Sequence, residues 1–222
     1  METDHTRVER RLLDGALRGG AVALDAGCGR TTRLRNYRDR IARLVGIDVD
    51  EAAGRENPWL DEFVAVNLDD RLPFPDESFD LVYANFVVEH LGEPDRTFAE
   101  WHRVLRPEGR LVLLTSNRSS PLMAVADRFP ERARLTVKRW GAGAESRDVF
   151  PTRYLANTPE QLAQLALNAG FGTVATEFVG TLHRYGARVP GLSSVLTLAE
   201  RALPAERRST IVACYERASL SP

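Results

Sequence analysis

The chain is poor in cysteine, has no surplus of one charge and contains no long apolar run. A membrane-spanning helix needs about 20 apolar residues, so we expect no transmembrane segment. Cys28 and Cys214 show no metal-ligand spacing, and we interpret both as reduced thiols. The formal net charge is −1, whereas dedicated nucleic-acid binders usually carry a basic surplus. The sequence therefore disfavours membrane-spanning, zinc-ribbon and nucleic-acid-binding proteins.

Length and composition favour one compact enzyme domain. With 222 residues, 43% of them hydrophobic, the chain can bury a substantial core and is too short to need two domains. Residues 1–11 are polar and charged, without the apolar core of a signal peptide. We therefore expect a soluble cytoplasmic protein with one domain over residues 1–222, whose first 20 residues contain a helix.

The most informative segment, residues 21–29, is an apolar run followed by an acid and two glycines. Residues 21–24 predict a buried parallel strand. Gly27 and Gly29 let the backbone turn tightly and approach a ligand closely. Asp25 would then face the crevice at the strand's carboxyl end, where doubly wound sheets bind ligands. The pattern indicates a nucleotide-type ligand, although a purely structural turn fits the same residues.

The same turn lacks the third glycine of a dinucleotide-binding loop. An acid at position 25 would repel a pyrophosphate and attract an amino group instead. Residues 41–48 predict a second strand that also ends in an acid. Asp48 can accept hydrogen bonds from both ribose hydroxyls, and Val49 can pack on a purine. This pair would also suit a nicotinamide cofactor, and Asp48 has the alternative role of helix N-cap, for which Asp50 is the better candidate.

Taken together, these motifs resemble class I S-adenosylmethionine-dependent methyltransferases, in the order that this family shows them. The resemblance covers roughly residues 20–117 and implies an α/β, Rossmann-like, doubly wound fold. It implies a seven-stranded mixed sheet with an antiparallel last strand and an inserted segment after strand five. The implied cofactor is S-adenosylmethionine, with S-adenosylhomocysteine as product. The matching segments are residues 21–29, 41–50, 66–91 and 102–114.

The resemblance also implies where each part of the cofactor binds. The glycine turn would hold the methionine end, Asp48 the ribose, and the residues after strand three the adenine ring. The segment after strand four would pass under the methionine end. The cofactor-binding residues implied in this way are Asp25, Gly27, Cys28, Gly29, Asp48, Val49, Asn67, Leu68 and Asn85.

Residues 117–157 are too long for a simple connection and carry eight basic against four acidic residues. They predict either a lid for an anionic or sugar-like acceptor, or a solvated helical insertion or dimer contact. Residues 148–158 resemble a stretch of bacterial methyltransferases without an assigned substrate. Arg153, Tyr154 and Asn157 are the candidate acceptor contacts, with helix capping as the alternative.

Methyl transfer sometimes needs a base, and histidine is the natural candidate near neutral pH. His90 follows strand four beside the predicted crevice and is our choice, with a structural histidine at a helix start as the alternative. Residues 89–90 resemble a metal-binding pair of ubiquinone-pathway O-methyltransferases, but Phe86 stands near the place of their upstream glutamate. We therefore expect no metal.

The signature of enzymes that methylate exocyclic base or amide nitrogens is absent, because Phe86 and Val87 follow Asn85. We predict methyl transfer to an oxygen or nitrogen of a small molecule. The predicted setting is bacterial secondary-metabolite or glycan biosynthesis, and the chain could form a homodimer. The alternative is a non-catalytic scaffold or partner subunit that binds adenosylmethionine. A nicotinamide dehydrogenase is a weaker alternative.

Overall fold

The computed structural model describes residues 4–126, 151–183 and 191–218. Its strands are β1 (Ala21–Ala26), β2 (Ile41–Asp48), β3 (Glu62–Ala65), β4 (Phe79–Asn85), β5 (Leu105–Ser116), β6 (Phe171–Val179) and β7 (Thr210–Arg217). Its α-helices are α1 (Asp4–Ala16), α2 (Glu51–Arg55), α3 (Pro94–Val104), α4 (Pro121–Ala126), α5 (Pro159–Ala169) and α6 (Leu192–Arg201). Short 3-10 helices span Arg33–Tyr37, Val88–His90 and Ala205–Arg207.

The seven strands form one sheet in the order β3-β2-β1-β4-β5-β7-β6. Neighbouring strands are parallel from β3 to β5, and β7 runs antiparallel to both β5 and β6. The predicted α/β fold with seven strands and a reversed last strand is therefore confirmed. Because strand order reverses between β1 and β4, the crevice at their carboxyl ends is the switch point of the sheet.

Alternation along β1 builds a core on each face of the sheet. Leu24 and Ala26 join the cluster that contains Trp101 of α3, whereas Ala23 joins the cluster that contains Leu13 of α1. Period-two alternation also places Asp25 on the α1 face, the face of Ala23. Each face is covered because a parallel sheet must bury both of its sides.

Local sequence explains where α5 begins and ends. Thr158 and Gln161 form a reciprocal capping box, and Pro159 occupies the first turn. Gly170 ends the helix with a φ of 95°, a conformation that favours glycine. The helix over residues 159–169 therefore carries its start and stop signals in the local sequence.

One local expectation needs correction. Pro107 and Gly109 predict a turn before strand five, but β5 already begins at Leu105, which pairs with Phe79. The register then shifts, so that Leu81 pairs with Arg110. Glu108 takes a φ of 64° within this irregularity. The expected turn is therefore a bulge inside the strand, because both of its flanks pair with β4.

The structure describes only the two ends of the segment at 117–157. Helix α4 lies at its start, and residues 151–157 lead into α5. The predicted lid or dimer contact lies largely in residues 127–150, outside the described residues. One domain over residues 1–222 also stays a prediction. No helix in the described ranges is long and apolar enough to cross a membrane.

Candidate active site

The turn after β1 is fastened to the end of β2. The backbone amides of Gly27 and Cys28 both donate to the carbonyl of Ile47, at 2.8 and 3.1 Å. Gly27 has a φ of 76°, and a Cβ at this position would overlap the Val87 side chain. The first loop of the crevice therefore lies directly against the loop that follows β4, and only a residue without a side chain fits between them.

Asp48 ends β2 with both carboxylate oxygens facing backbone donors. Oδ2 accepts from the Gly29 amide and Oδ1 from the Asp50 amide, each at 2.9 Å. The side chain of Asp50 caps α2 by accepting from Ala53, so the N-cap alternative for Asp48 is wrong. Each oxygen of Asp48 has a second lone pair, and Val49 beside it is 59% exposed. A carboxylate next to an exposed apolar side chain can bind a nucleoside.

Asp25 lies at the end of β1 and is only 3% exposed, so it is more enclosed than a residue that lines an open crevice. Burial raises the pKa of the Asp25 carboxyl to about 7, against the lowering effect of a hydrogen bond with Thr32. The charge of Asp48 adds to the rise. Asp25 therefore changes its protonation state near neutral pH, and a cation placed beside it would favour the carboxylate.

Cys28 contributes backbone to the turn rather than a reactive thiol. Its side chain is buried, and burial raises the pKa of the thiol far above the usual range, with further effects from Asp25 and Asp48. Burial also raises the pKa of Cys214 to about 11. Both cysteines are free and buried, as the sequence predicted.

The loop after β3 reaches the same edge of the sheet. The amide of Val66 donates to the Asp48 carbonyl at 3.1 Å, which brings the ends of β2 and β3 together. Asn67 is exposed and its Oδ1 accepts from the Asp69 amide at 3.1 Å, while the Leu68 carbonyl accepts from the Thr97 hydroxyl at 3.0 Å. Asn67 and Leu68 are therefore held in a defined turn next to Asp48.

The chain leaves β4 through a strained turn. Asn85, half-buried, is the last residue of β4 and pairs with Leu114. Phe86 takes a φ of 55°, which L side chains adopt at a cost, and its amide donates to the Leu114 carbonyl at 2.8 Å. This turn directs the residues after β4 across the switch point towards Gly27.

Glu89, which the sequence suggested only as half of a metal-binding pair, instead joins the end of β5 to residues 153 and 154. Its buried carboxylate accepts from the hydroxyls of Thr115 and Ser116, at 2.8 and 3.2 Å. Its backbone carbonyl accepts from the amides of Arg153 and Tyr154, at 2.8 and 3.1 Å. A buried acid is a signal that sequence patterns do not carry, because the two hydroxyl partners follow it by 26 and 27 residues.

His90 lies beside this junction, half-buried. Its Nδ1 is 2.9 Å from the carbonyl oxygen of Pro151. Because a carbonyl only accepts, Nδ1 carries the hydrogen and the lone pair of the neutral ring lies on Nε2. Arg153 and Tyr154 follow within three residues of Pro151, and the guanidinium of Arg118 lies 4.6 Å from the centre of the Tyr154 ring. The structure therefore brings His90, Arg153 and Tyr154 together.

Asn157 does not lie with them and needs correction as an acceptor contact. It is fully buried, and its Nδ2 donates to the Thr115 hydroxyl at 2.6 Å and to the Ser116 carbonyl at 3.2 Å. Its carbonyl accepts from the Arg118 amide. Asn157 supports the wall of the site from behind, because no part of it reaches the surface.

His102 is half-buried between α3 and β6, away from the crevice. Its ring packs edge-on against Phe171, and burial lowers the pKa of the imidazole, as the charge of Arg217 also does. Within the described ranges, no group of three or more histidine, cysteine or acidic side chains is arranged to hold a metal ion.

These elements define the class of protein. The doubly wound sheet, with acids at the ends of β1 and β2 and a glycine turn between them, is typical of Rossmann-like proteins, which bind nucleoside cofactors at the switch point. The reversed β7 between β5 and β6 distinguishes its sheet from an all-parallel dinucleotide-binding fold.

Comparison with known proteins identifies the cofactor. The family described as Methyltransferase domain matches residues 24–113. The ubiquinone/menaquinone biosynthesis C-methyltransferase UbiE of Laribacter hongkongensis is 31% identical over 180 residues, which cover 73% of this chain and 72% of UbiE. An uncharacterized 37.1 kDa protein in transposon TN4556 of Streptomyces fradiae is 34% identical over 183 residues, 76% of this chain and 49% of that protein. The chain belongs to the class I S-adenosylmethionine-dependent methyltransferases, and S-adenosylmethionine is its cofactor.

A solved structure agrees with this fold. Geranyl diphosphate C-methyltransferase from Streptomyces coelicolor, in complex with Mg²⁺, geranyl diphosphate and S-adenosyl-L-homocysteine, gives a TM-score of 0.63 at 15% identity. The similarity covers 96% of this chain and 78% of that one. Because the present chain spans about half the length of the Streptomyces fradiae protein, the similarity to that protein concerns only part of it.

Proposed function

We propose that this methyltransferase moves the methyl group to an oxygen or nitrogen atom of a small molecule held beside His90, Arg153 and Tyr154. The observation that carries the proposal is the hydrogen bond between His90 Nδ1 and the Pro151 carbonyl. It places the hydrogen of the neutral ring on Nδ1 and its lone pair on Nε2, in a residue that lies beside Arg153 and Tyr154, which the sequence singled out as acceptor contacts.

The residues at the crevice suit the cofactor, and we propose their roles accordingly. Asp48 accepts hydrogen bonds from the ribose hydroxyls, and Val49 packs on the adenine together with the turn at Asn67 and Leu68. Asp25 faces the ammonium of the methionine part through its enclosed carboxyl. The backbone of the Gly27, Cys28 and Gly29 turn and the end of β4 at Asn85 form the floor.

Positioning supplies much of the rate. The cofactor provides an electrophilic methyl group on a sulfonium, and transfer requires the acceptor atom in line about 3 Å away. Arg153 and Tyr154 are held on the backbone carbonyl of Glu89 and would orient the acceptor there. His90 Nε2 would take the proton that the acceptor atom loses, which leaves the imidazolium hydrogen-bonded to Pro151.

Replacement of His90 by Gln is expected to lower methyl transfer to an oxygen or nitrogen acceptor by about a hundredfold or more, since a general base typically contributes that much. The measurement uses an acceptor found by screening with methyl-labelled S-adenosylmethionine. Affinity for S-adenosylhomocysteine should stay unchanged. His102→Gln is the matched control, because His102 lies between α3 and β6 beside Phe171, away from the crevice. Full turnover by His90→Gln would remove His90 from the mechanism.

The raised pKa of Asp25 predicts that cofactor binding releases a proton. At pH 7 about half of the unliganded molecules carry that proton, and the ammonium of the cofactor favours its loss. Titration calorimetry in buffers of different ionisation enthalpy should therefore detect proton release at pH 6.5 and almost none at pH 9. Asp25→Asn should abolish it; release of equal size in that variant would assign the proton to another group.

The same pKa predicts how stability depends on pH. The unfolded Asp25 titrates near pH 3.9, so this group lowers the stability of the unliganded protein as pH rises from about 4 to 7. The difference in unfolding free energy between Asp25→Asn and wild type should therefore favour the variant more at pH 8 than at pH 5. A difference in unfolding free energy that does not change with pH would contradict this.

Methylation of a carbon atom is the second candidate, because UbiE, whose sequence aligns with most of this chain, is named as a C-methyltransferase. Magnetic resonance of a product made with carbon-13-labelled methyl groups distinguishes the three targets by chemical shift. The setting in secondary-metabolite or glycan biosynthesis stays a prediction. Binding of S-adenosylhomocysteine without turnover of any acceptor would instead support a scaffold or partner subunit.

A further inference from the structure

Asn57 lies behind the cofactor turn and was not anticipated from the sequence. It is two residues beyond α2 and only 5% exposed. Its backbone amide donates to the Gly54 carbonyl at 3.1 Å, and its Oδ1 accepts from the Trp59 amide at 3.2 Å. Two backbone contacts therefore fix both the position of Asn57 and the orientation of its amide group.

The other half of that amide group points at the turn. Nδ2 donates to the carbonyl of Cys28 at 3.3 Å and to the carbonyl of Gly29 at 3.1 Å. An asparagine amide has two hydrogens on one nitrogen, so a single side chain can hold two successive carbonyls. The assignment of Nδ2 and Oδ1 follows from these partners, because carbonyls accept and the Trp59 amide donates.

The three backbone amides of the turn are also occupied. The amides of Gly27 and Cys28 donate to Ile47, and the Gly29 amide donates to Asp48. Asn57 thus holds the carbonyl side of the turn, while the end of β2 holds the amide side. The guanidinium of Arg30 also pairs with Glu56, the residue before Asn57.

No regular helix fixes these carbonyls. In dinucleotide-binding folds a helix begins directly at the glycine loop, but here a 3-10 helix begins only at Arg33, capped by Thr32. The Cys28 and Gly29 carbonyls therefore lie outside any described helix. A buried side chain with two donors supplies the hydrogen bonds that such carbonyls require.

We infer that Asn57 is a positioning residue that keeps the turn at Gly27, Cys28 and Gly29 in its cofactor-binding conformation. The inference rests on the proposed role of this turn and of Asp48 in binding S-adenosylmethionine. Asn57 acts through the turn and does not itself contact the acceptor. Its loss should therefore weaken the cofactor complex and leave the acceptor KM at saturating cofactor unchanged.

The decisive variant is Asn57→Asp, which keeps the size and shape of the side chain but replaces the NH2 group, with its two donor hydrogens, by a carboxylate oxygen that only accepts. At pH 8 a carboxylate would face two carbonyl oxygens, and the turn should shift away from it. We expect the Kd for S-adenosylhomocysteine, measured by calorimetry, to rise at least tenfold relative to wild type. At pH 5.5 the new carboxyl is protonated in a fraction of the variant molecules, and these regain one donor. The ratio of the variant Kd to the wild-type Kd should therefore be smaller at pH 5.5 than at pH 8.

Asn168→Asp is the matched control. Asn168 is exposed on α5, where its Oδ1 accepts from Gln164. The same chemical change there should leave the Kd unchanged at both pH values. A role of Asn57 in packing alone would give a ratio that does not depend on pH, because the two side chains have the same volume.

Two further measurements keep the inference open to refutation if Asn57→Asp folds poorly. Asn57→Ser retains one donor on a shorter side chain and should show an intermediate loss of affinity. Hydrogen exchange by mass spectrometry should show faster exchange at residues 27–30 of this variant, with the core strands unchanged. Unchanged affinity in folded Asn57→Asp, or unchanged exchange in Asn57→Ser, would overturn the inference.

Parallel titration of Asp48→Ala separates this inference from the proposed site. If both substitutions leave affinity unchanged, the cofactor does not bind at this turn and the site assignment fails. If only Asp48→Ala weakens binding, the site stands and the role of Asn57 is wrong. Loss of affinity in both variants supports both the proposed cofactor site and the role of Asn57.

Discussion

Replacement of Gly27 by Ala should weaken binding of S-adenosylmethionine and S-adenosylhomocysteine at least a hundredfold, or about 2.8 kcal/mol. Two costs add at this position. A φ of 76° is unfavourable for any residue with a Cβ, by about 1 to 2 kcal/mol. The new Cβ would also overlap the Val87 side chain, and overpacking of this kind costs about 1 to 3 kcal/mol.

The protein can relieve this overlap only by separating the loop after β1 from the loop after β4. That movement opens the floor of the proposed methionine site, so the cost appears mainly in affinity. Calorimetric titration with S-adenosylhomocysteine measures it directly. Thermal unfolding of the unliganded variant shows how much of the cost appears in stability instead.

Two other glycines of the chain provide controls. Gly20 has a φ of 80° with nothing within 4 Å of the Cβ position, so Gly20→Ala carries the backbone cost without the overlap. Gly29 lies in the same turn, with a φ of 49° and equally open space. We expect Gly20→Ala to lower stability slightly and leave affinity unchanged, and Gly29→Ala to fall between the two. Equal affinities for Gly27→Ala and Gly20→Ala would contradict the contact with Val87.

Replacement of Asp48 by Ala should raise the Kd for S-adenosylhomocysteine at least tenfold, or about 1.4 kcal/mol. The ribose hydroxyls would lose a charged acceptor, whose hydrogen bonds are stronger than those of neutral groups. The substitution also leaves the amides of Gly29 and Asp50 without their acceptor, and an unsatisfied buried donor costs about 1 to 3 kcal/mol. Because the amides lose their acceptor with or without the cofactor, this second cost should appear as a lower free energy of unfolding rather than in the Kd.

Asp50→Ala separates these effects. It removes the N-cap of α2 and should lower stability by about 1 kcal/mol. It leaves both oxygens of Asp48 and their partners in place, so affinity should change little. If Asp48→Ala binds as tightly as wild type, Asp48 does not contact the ribose. If Asp50→Ala weakens binding as much, the effect comes from the α2 region rather than from the carboxylate.

Patterns that depend on neighbouring residues were readable from the sequence. The strands ending at Asp25 and Asp48, the glycine turn and the capped helix at Thr158 all have short-range signals, and all are present. The bulge in β5 carries the sequence signal of a turn, because Pro107 and Gly109 are typical of turns. The strand is seen to continue only because the residues on both sides of the bulge pair with β4. These pairing partners are distant in sequence, so no local pattern predicts them.

The candidate site was less predictable for the same reason. Glu89 and Asn57 bind partners 26 to 29 residues away, so no local pattern reveals them. Asn157 precedes a helix and was predicted to contact the acceptor, yet it is buried and bonded to Thr115, Ser116 and Arg118 at and just after the end of β5. The protonation state of Asp25 depends on burial, which a motif does not record.

The junction between the acceptor side and the cofactor side has a consequence for how such enzymes diverge. The backbone carbonyl of Glu89 accepts from the amides of residues 153 and 154. The backbone carbonyl of residue 151 accepts from Nδ1 of His90. Backbone groups are the same for almost every residue type. Under the proposed function, side chains at 153 and 154 can therefore be exchanged during evolution while the junction and the proposed base stay in register. A new acceptor preference can then arise there without redesign of the cofactor half.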